Sequence, residues 1–265
     1  MHWLLRFPAP ISFLIVSTVT VAVILGALYC LRLRFPAEVL KENQDVAAII
    51  FNAFGLLYAV IVAFVVFVTW TGYDEARKNL ELEASEAIDI FRNAEAFPPP
   101  LNQQVRTALL GYVQSVVDDE LNRLATENIT LATGGKVREI TRLFNRMDPQ
   151  QVANRELYAE SLKRLNDLAQ YRRLRIFSGN NSVPPAIWLV LLIGGAITAG
   201  YTFLFGTRNA LAHYAMTAGL TLTVTLILFL IYILDHPFTG ANRITALPLH
   251  EAIAVMERDA AEAPH

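Results

Sequence analysis

Between residues 46 and 70 no side chain carries a charge at neutral pH, and the charged stretch that follows, residues 74–97, contains neither proline nor glycine. An apolar run of that length crosses roughly 30 Å of hydrocarbon at about 1.5 Å per residue. In the charged half, Leu80, Ala84, Ala87, Phe91 and Ala94 recur three or four apart, the spacing of one helical face. The pattern predicts a single helix that crosses a bilayer and carries on into water. Residues 11–31, 186–205 and 211–234 repeat the apolar half of it. Four such runs predict an all-α, polytopic membrane protein with a helical insert between its second and third spans.

Within the insert, Pro98, Pro99 and Pro100 must end the first helix, because proline lacks a donor and clashes with the preceding turn. A second helix is expected over residues 101–124, with Val105, Leu109, Tyr112, Val116 and Leu124 as a partial stripe. Residues 126–135 form a loop broken by Thr133, Gly134 and Gly135, and a short helix follows over 136–147. Asp148 and Pro149 are expected to open the last insert helix as N-cap and first turn. It runs to about Phe177 through Leu157, Leu162, Leu165, Leu168 and Leu174. The expected organisation is residues 1–73 for spans one and two, 74–183 for a helical cytoplasmic domain, 184–235 for spans three and four, and 236–265 for a cytoplasmic tail.

Composition explains how 17% charged residues coexist with a positive mean hydropathy of +0.38: the charges are concentrated in the insert. An even number of spans places both termini and the insert on one side. That side carries Arg6, Arg77, Lys78, Arg172, Arg173, Arg175 and Arg243 near the membrane, against Arg32, Arg34, Lys41 and Arg208 on the other. The excess predicts cytoplasmic termini. No small-residue cleavage site follows the first apolar run, which reads as a retained span. A sequon at Asn128, Ile129 and Thr130 then faces the cytoplasm, where it is unused. Trp3, Trp70 and Trp188 lie near span ends, as interfacial anchors do.

Candidate chemistry adds little. Net charge is −2, and no basic patch interleaved with aromatics points to nucleic acid. Cys30 is alone, so neither a disulfide nor a thiolate metal site is expected. His213 has no Ser or Cys partner nearby, no pair of histidines falls at helical spacing, and no glycine loop for phosphates is present. Glu81, Glu83, Glu86 and Asp89 alternate with Arg77, Lys78 and Arg92 as on a solvated helix face. The expectation is no enzyme, no cofactor and no metal.

Two faces stand out on the second span. Phe54, Leu57, Ile61, Phe64 and Val68 make a bulky stripe, and Ala47, Gly55, Ala59 and Ala63 a small-residue one. Small residues let helices approach closely in lipid. The plain reading is a lipid-facing stripe opposite a packing stripe. The sharper one has copies of the helix pack around an axis, with the bulky stripe lining an apolar constriction that gates by dewetting. On the fourth span Tyr214, Thr217, Thr221, Thr225 and Tyr232 share a face, and threonines there can bond their own helix. At its end, Leu234, Asp235, His236, Pro237, Phe238, Thr239 and Gly240 read as a stop signal. Phe238 is out of place in a polar turn unless it docks, and Ile244, Leu247, Leu249 and Ile253 suggest a tail that packs back onto the insert.

Two of these segments carry a resemblance. The run 234–240, followed by Leu247, Pro248, Leu249 and His250, resembles the post-membrane tail of bacterial bestrophins. The exit from the second span, residues 67–77 with Tyr73, Glu75, Ala76 and Arg77, is similar to the bestrophin segment after the pore. Over nearly its whole length the chain resembles a bacterial four-span membrane family, described as bestrophin-like, to which no function is assigned. The resemblance implies a pentameric ion channel in the bacterial inner membrane, with inorganic ions as its cargo and a hydrophobic neck near Ala53, Leu57 and Ile61. Ala53 departs from the bulky residue expected there, which implies a wider or shifted neck. The acidic calcium cluster of animal bestrophins is missing, since Thr239, Gly240, Ala241 and Asn242 follow Pro237 and Phe238.

The leading expectation is therefore a homo-oligomeric channel with Phe54, Leu57, Ile61 and Phe64 in the neck and Asp235, Pro237, Phe238 and Gly240 as the post-membrane motif. The alternative is a membrane scaffold or sensor that binds a partner protein through its cytoplasmic helices. A transporter ranks third, because only His213 hints at a buried ionisable group in the membrane.

Overall fold

The computed structural model describes residues 8–35, 44–125, 134–148, 152, 154–180, 182–205, 207, 209–240 and 243–262. Trp3, Arg6, Lys41, the sequon at 128–130, Pro149, Arg208, Ala241 and Asn242 lie outside them. Among the described residues the regular structure is entirely helical: α1 (Ala9–Arg34), α2 (Gln44–Asn93), α3 (Leu101–Ser115), α4 (Leu121–Ala125), α5 (Gly134–Arg146), α6 (Arg155–Asn180), α7 (Pro185–Tyr201), α8 (Ala210–Leu234) and α9 (Leu247–Glu262). Four of these, α1, α2, α7 and α8, are long and apolar enough to cross a membrane.

The helix over the second span is unbroken, but it ends earlier than the prolines require. It stops at Asn93, and residues Ala94–Ala96 tighten into a 3-10 turn before Phe97 extends. Between α3 and α4, Val116–Glu120 widens into one π-helical turn, a feature invisible to a 3.6-residue periodicity. The expected start of α6 at Asp148 is corrected. The helix begins at Arg155, and Asn154 caps it by accepting from the amides of Glu156 and Leu157 at 3.1 and 3.0 Å. On α8 the cap is Asn209, which accepts from Ala212 at 3.2 Å. Proline sits in the first turn of both α1 and α7, where its missing donor costs nothing.

The chain forms two compact units and passes from one to the other inside α2, between Gly72 and Tyr73. The first unit holds residues 1–72, 182–236 and 240–242; the second holds 73–181, 237–239 and 243–265.

In the first unit α8 packs against α1 and α7. Phe13 and Phe229 face each other at 5.8 Å, and Arg32 reaches His213, so α1 and α8 run antiparallel. Its small core gathers Tyr58, Val62, Val65, Leu191 and Ile231. Most of the remaining large side chains of α1, α2 and α7 are exposed, as expected for helices solvated by lipid.

The second unit has an ordinary hydrophobic core. Leu80, Ala84, Ala87 and Phe91 of α2 meet Val105, Leu109 and Tyr112 of α3, Ile140 and Phe144 of α5, and Leu165 and Leu168 of α6. Ile244 and, on α9, Leu249, Ala252 and Met256 complete it. Phe97, Phe144 and Tyr158 form an aromatic cluster in this core, with the Phe97 and Phe144 rings edge to face at 5.6 Å.

Candidate functional site

Two stripes run along the membrane half of α2, fixed by about 100° of turn per residue. Leu57, Ile61, Phe64 and Val68 lie within about 60° of one another. They are left uncovered by the chain's own helices: Leu57 is 67%, Ile61 41% and Phe64 67% exposed. About 100° further round, Tyr58, Val62, Val65 and Thr69 form the stripe that packs inward. Phe54 falls between the two. It is half-buried, stacks on Tyr58 at 6.4 Å and tilts against Tyr201 at 5.9 Å. So three of the four expected neck residues share one open face, and Phe54 is tied to the packed one. Ala53, Ala59 and Ala63 are exposed as well.

Tyr58 explains a feature of α7 that periodicity alone does not. A Cβ on Gly194 would stand 2.5 Å from Tyr58 Cδ2 and Cε2, and one on Gly195 would stand 3.1 Å from the hydroxyl. The two glycines open the slot into which the ring lies. The hydroxyl then donates to the Leu191 carbonyl at 2.9 Å. Any side chain at Gly194 would close that slot.

At the far end of α8, His213 is buried. Its Nδ1 lies 3.2 Å from Arg32 Nη1, and its Nε2 lies 2.7 Å from the Thr202 carbonyl. Arginine can only donate and a carbonyl can only accept, so Nδ1 is the acceptor and Nε2 the donor in these two contacts. At the other end, Asp235 joins the turn before α7 to the last turn of α8. One carboxylate oxygen accepts from the Val183 amide at 2.6 Å and the other from Trp188 Nε1 at 3.3 Å. The Pro237 carbonyl accepts from Ile244 at 2.7 Å, and Phe238 is buried in the second unit's core. Gly240 has φ of 83°, where only glycine is unstrained.

The second unit holds a polar site that sequence reasoning missed. Glu83, taken as part of a solvated face, is fully buried. It accepts from Arg175 Nε and Nη2 at 2.6 and 3.0 Å and from the Tyr112 hydroxyl. Arg175, also fully buried, donates to Glu120 at 2.9 Å, and Arg172 reaches Glu120 at 3.3 Å. Glu120 stands in the π turn, four residues after the buried Val116 and on its face. Burial, together with the Glu83 charge, pushes the Tyr112 hydroxyl well above its usual range. The signal was present in the sequence. Glu83 falls at stripe spacing between Leu80 and Ala87, and Arg172 and Arg175 continue the stripe of Leu165 and Leu168.

The chain matches the family model of a bestrophin-like domain over residues 18–249. Among solved structures, a bacterial bestrophin homologue from Klebsiella pneumoniae superposes with a TM-score of 0.72 at 13% identity, covering 95% of this chain and 99% of that one. A single-substitution variant of the same homologue gives 0.71 at 14% identity, covering 96% and 97%. A crystal structure described as a membrane protein gives 0.73 at 12% identity, covering 95% and 99%. At such identities the likeness is one of fold. No curated protein matches the sequence. Four apolar helices of spanning length and a family match over most of the sequence lead to one conclusion: the chain is a membrane protein and belongs to the bestrophin-like family.

Proposed function

We propose that the protein is the subunit of a homo-oligomeric ion channel in the bacterial inner membrane. In this reading several copies of α2 surround a central path, and Leu57, Ile61 and Phe64 line an apolar neck. The termini and the second unit lie in the cytoplasm. The observation that carries the reading is the bulky row on α2 that the chain's own helices leave open, in a protein of bestrophin-like fold. Phe54 belongs at the edge of that neck, since Tyr58 and Tyr201 hold it aside. A ring of such side chains passes ions by size and hydration cost, with no fixed charge to select sign. Asp235, Pro237, Phe238 and Gly240 act as the joint between the last span and the tail.

The test is conductance of the purified protein in planar bilayers, with subunit number from native mass measurement. Several copies per particle and currents altered by Ile61→Ala, with assembly intact, are expected. Currents indifferent to alanine at Leu57, Ile61 and Phe64 would refute the neck. A monomer without conductance would favour a scaffold that binds a partner through the second unit.

A further inference from the structure

The bulky row on α2 has a continuation. The helix is unbroken from Gln44 to Asn93, so the direction of each side chain can be followed along it at about 100° per residue. Glu75 follows Leu57 by eighteen residues, about five whole turns, which puts the two in line. Leu82 returns to the same line and is still 41% exposed. The packed side keeps its phase as well. Ala76, Leu80 and Ala87 are buried about 100–140° round, as Tyr58 and Val62 are in the membrane half.

One helix thus carries one open line. Within about 40° of it, between residues 57 and 82, Glu75 is the one charged residue. Glu75 is exposed and has no hydrogen bond or ion pair with any described residue. Its charged neighbours are turned aside and engaged with one another. Asp74, Arg77, Lys78 and Glu81 lie about 60–160° from the line, on the side away from the core. Lys78 and Arg77 hold Asp74 at 2.6 and 2.9 Å, and Arg77 stands 3.9 Å from Glu81. These two bases and two acids cancel, which leaves the charge of Glu75 uncompensated. The next carboxylate on the line, Glu86, has a side chain only 15% exposed and is tied to Arg164 at 3.0 Å.

We propose that Glu75 sets the sign of the permeant ion and makes the channel select inorganic cations. This rests on the reading of Leu57, Ile61 and Phe64 as a neck around an axis. In such an assembly every copy turns a Glu75 carboxylate toward the path, about 10 Å along the helix from Val68. A ring of carboxylates gathers cations and repels anions at the mouth of an uncharged constriction. The neck supplies the hydration barrier and the ring supplies the sign.

Reversal potentials of the full-length protein in planar bilayers, under a gradient of potassium chloride, test the assignment. The parent should pass potassium in preference to chloride. Glu75→Gln should lower that permeability ratio by about tenfold, and Glu75→Lys should turn the preference toward chloride. Glu75→Asp should keep most of the ratio, and Glu81→Gln, on the far side of the line, should leave it unchanged. Raising the salt from about 0.1 to about 1 M shortens the screening length from about 10 to about 3 Å, so the parent's preference should shrink while that of Glu75→Gln stays put. A parent that prefers chloride, or a ratio unmoved by Glu75→Gln, would overturn the proposal and leave the neck standing. A protein that passes no current, or whose currents ignore alanine at Leu57, Ile61 and Phe64, would remove the neck and this proposal with it.

Discussion

Arg175→Met is the sharpest perturbation of the second unit, because it keeps an unbranched apolar stem and removes the polar guanidinium. Three hydrogen bonds vanish: 2.6 and 3.0 Å to Glu83 and 2.9 Å to Glu120. Glu120 keeps Arg172, but Glu83 stays fully buried with Tyr112 as its remaining partner. Stranding one member of a buried ion pair costs about 3–5 kcal/mol. With a tenfold change per roughly 1.4 kcal/mol, opening of the unit should become about two to three and a half powers of ten more frequent. Hydrogen exchange followed by mass spectrometry, on peptides from α3 and α6, reads that opening directly. Glu83→Leu combined with Arg175→Met removes both charges, leaving the Tyr112 hydroxyl without its acceptor and Glu120 Oε1 without the Arg175 donor while Arg172 still pairs with Glu120. The double variant should recover to within about 1–3 kcal/mol of the parent. Acceleration of less than tenfold in Arg175→Met would refute the reasoning. So would a double variant no better than the single, because the cost would then not come from an unpaired charge.

Two further outcomes follow from the same geometry. Tyr112 has its pKa raised in the folded state, so its contribution is fully present below the unfolded value of about 10 and is lost as pH climbs above it. Exchange in α3 should therefore accelerate above about pH 10, and Tyr112→Phe should remove that pH-dependent part while lowering stability at neutral pH. Gly194→Ala would place a methyl 2.5 Å from the Tyr58 ring and should cost about 1–3 kcal/mol, read as a lower melting temperature in detergent. Tyr58→Ala in that background should relieve the clash, and a variant that melts like the parent would show that the slot is loose.

Much of this protein follows from the order of its residues. Apolar runs of spanning length announce α1, α2, α7 and α8, and a stripe from Leu80 to Phe91 announces the wet half of α2, because period and length are local properties. Phe238 and the pattern from Ile244 to Ile253 mark segments that need cover for the same reason. Partners are not local. Nothing between residues 46 and 70 says that Tyr58 turns inward, because the slot it fills is made by Gly194 and Gly195 on a helix more than a hundred residues away. Glu83 looks solvated beside Glu81 and Glu86 until α6 brings Arg175 across to pair with it and with Glu120. Sequence alone determined where helices run and which must meet lipid. Only the tertiary structure decided which face of α2 stays open and which carboxylate is buried, because each depends on what distant helices set against it.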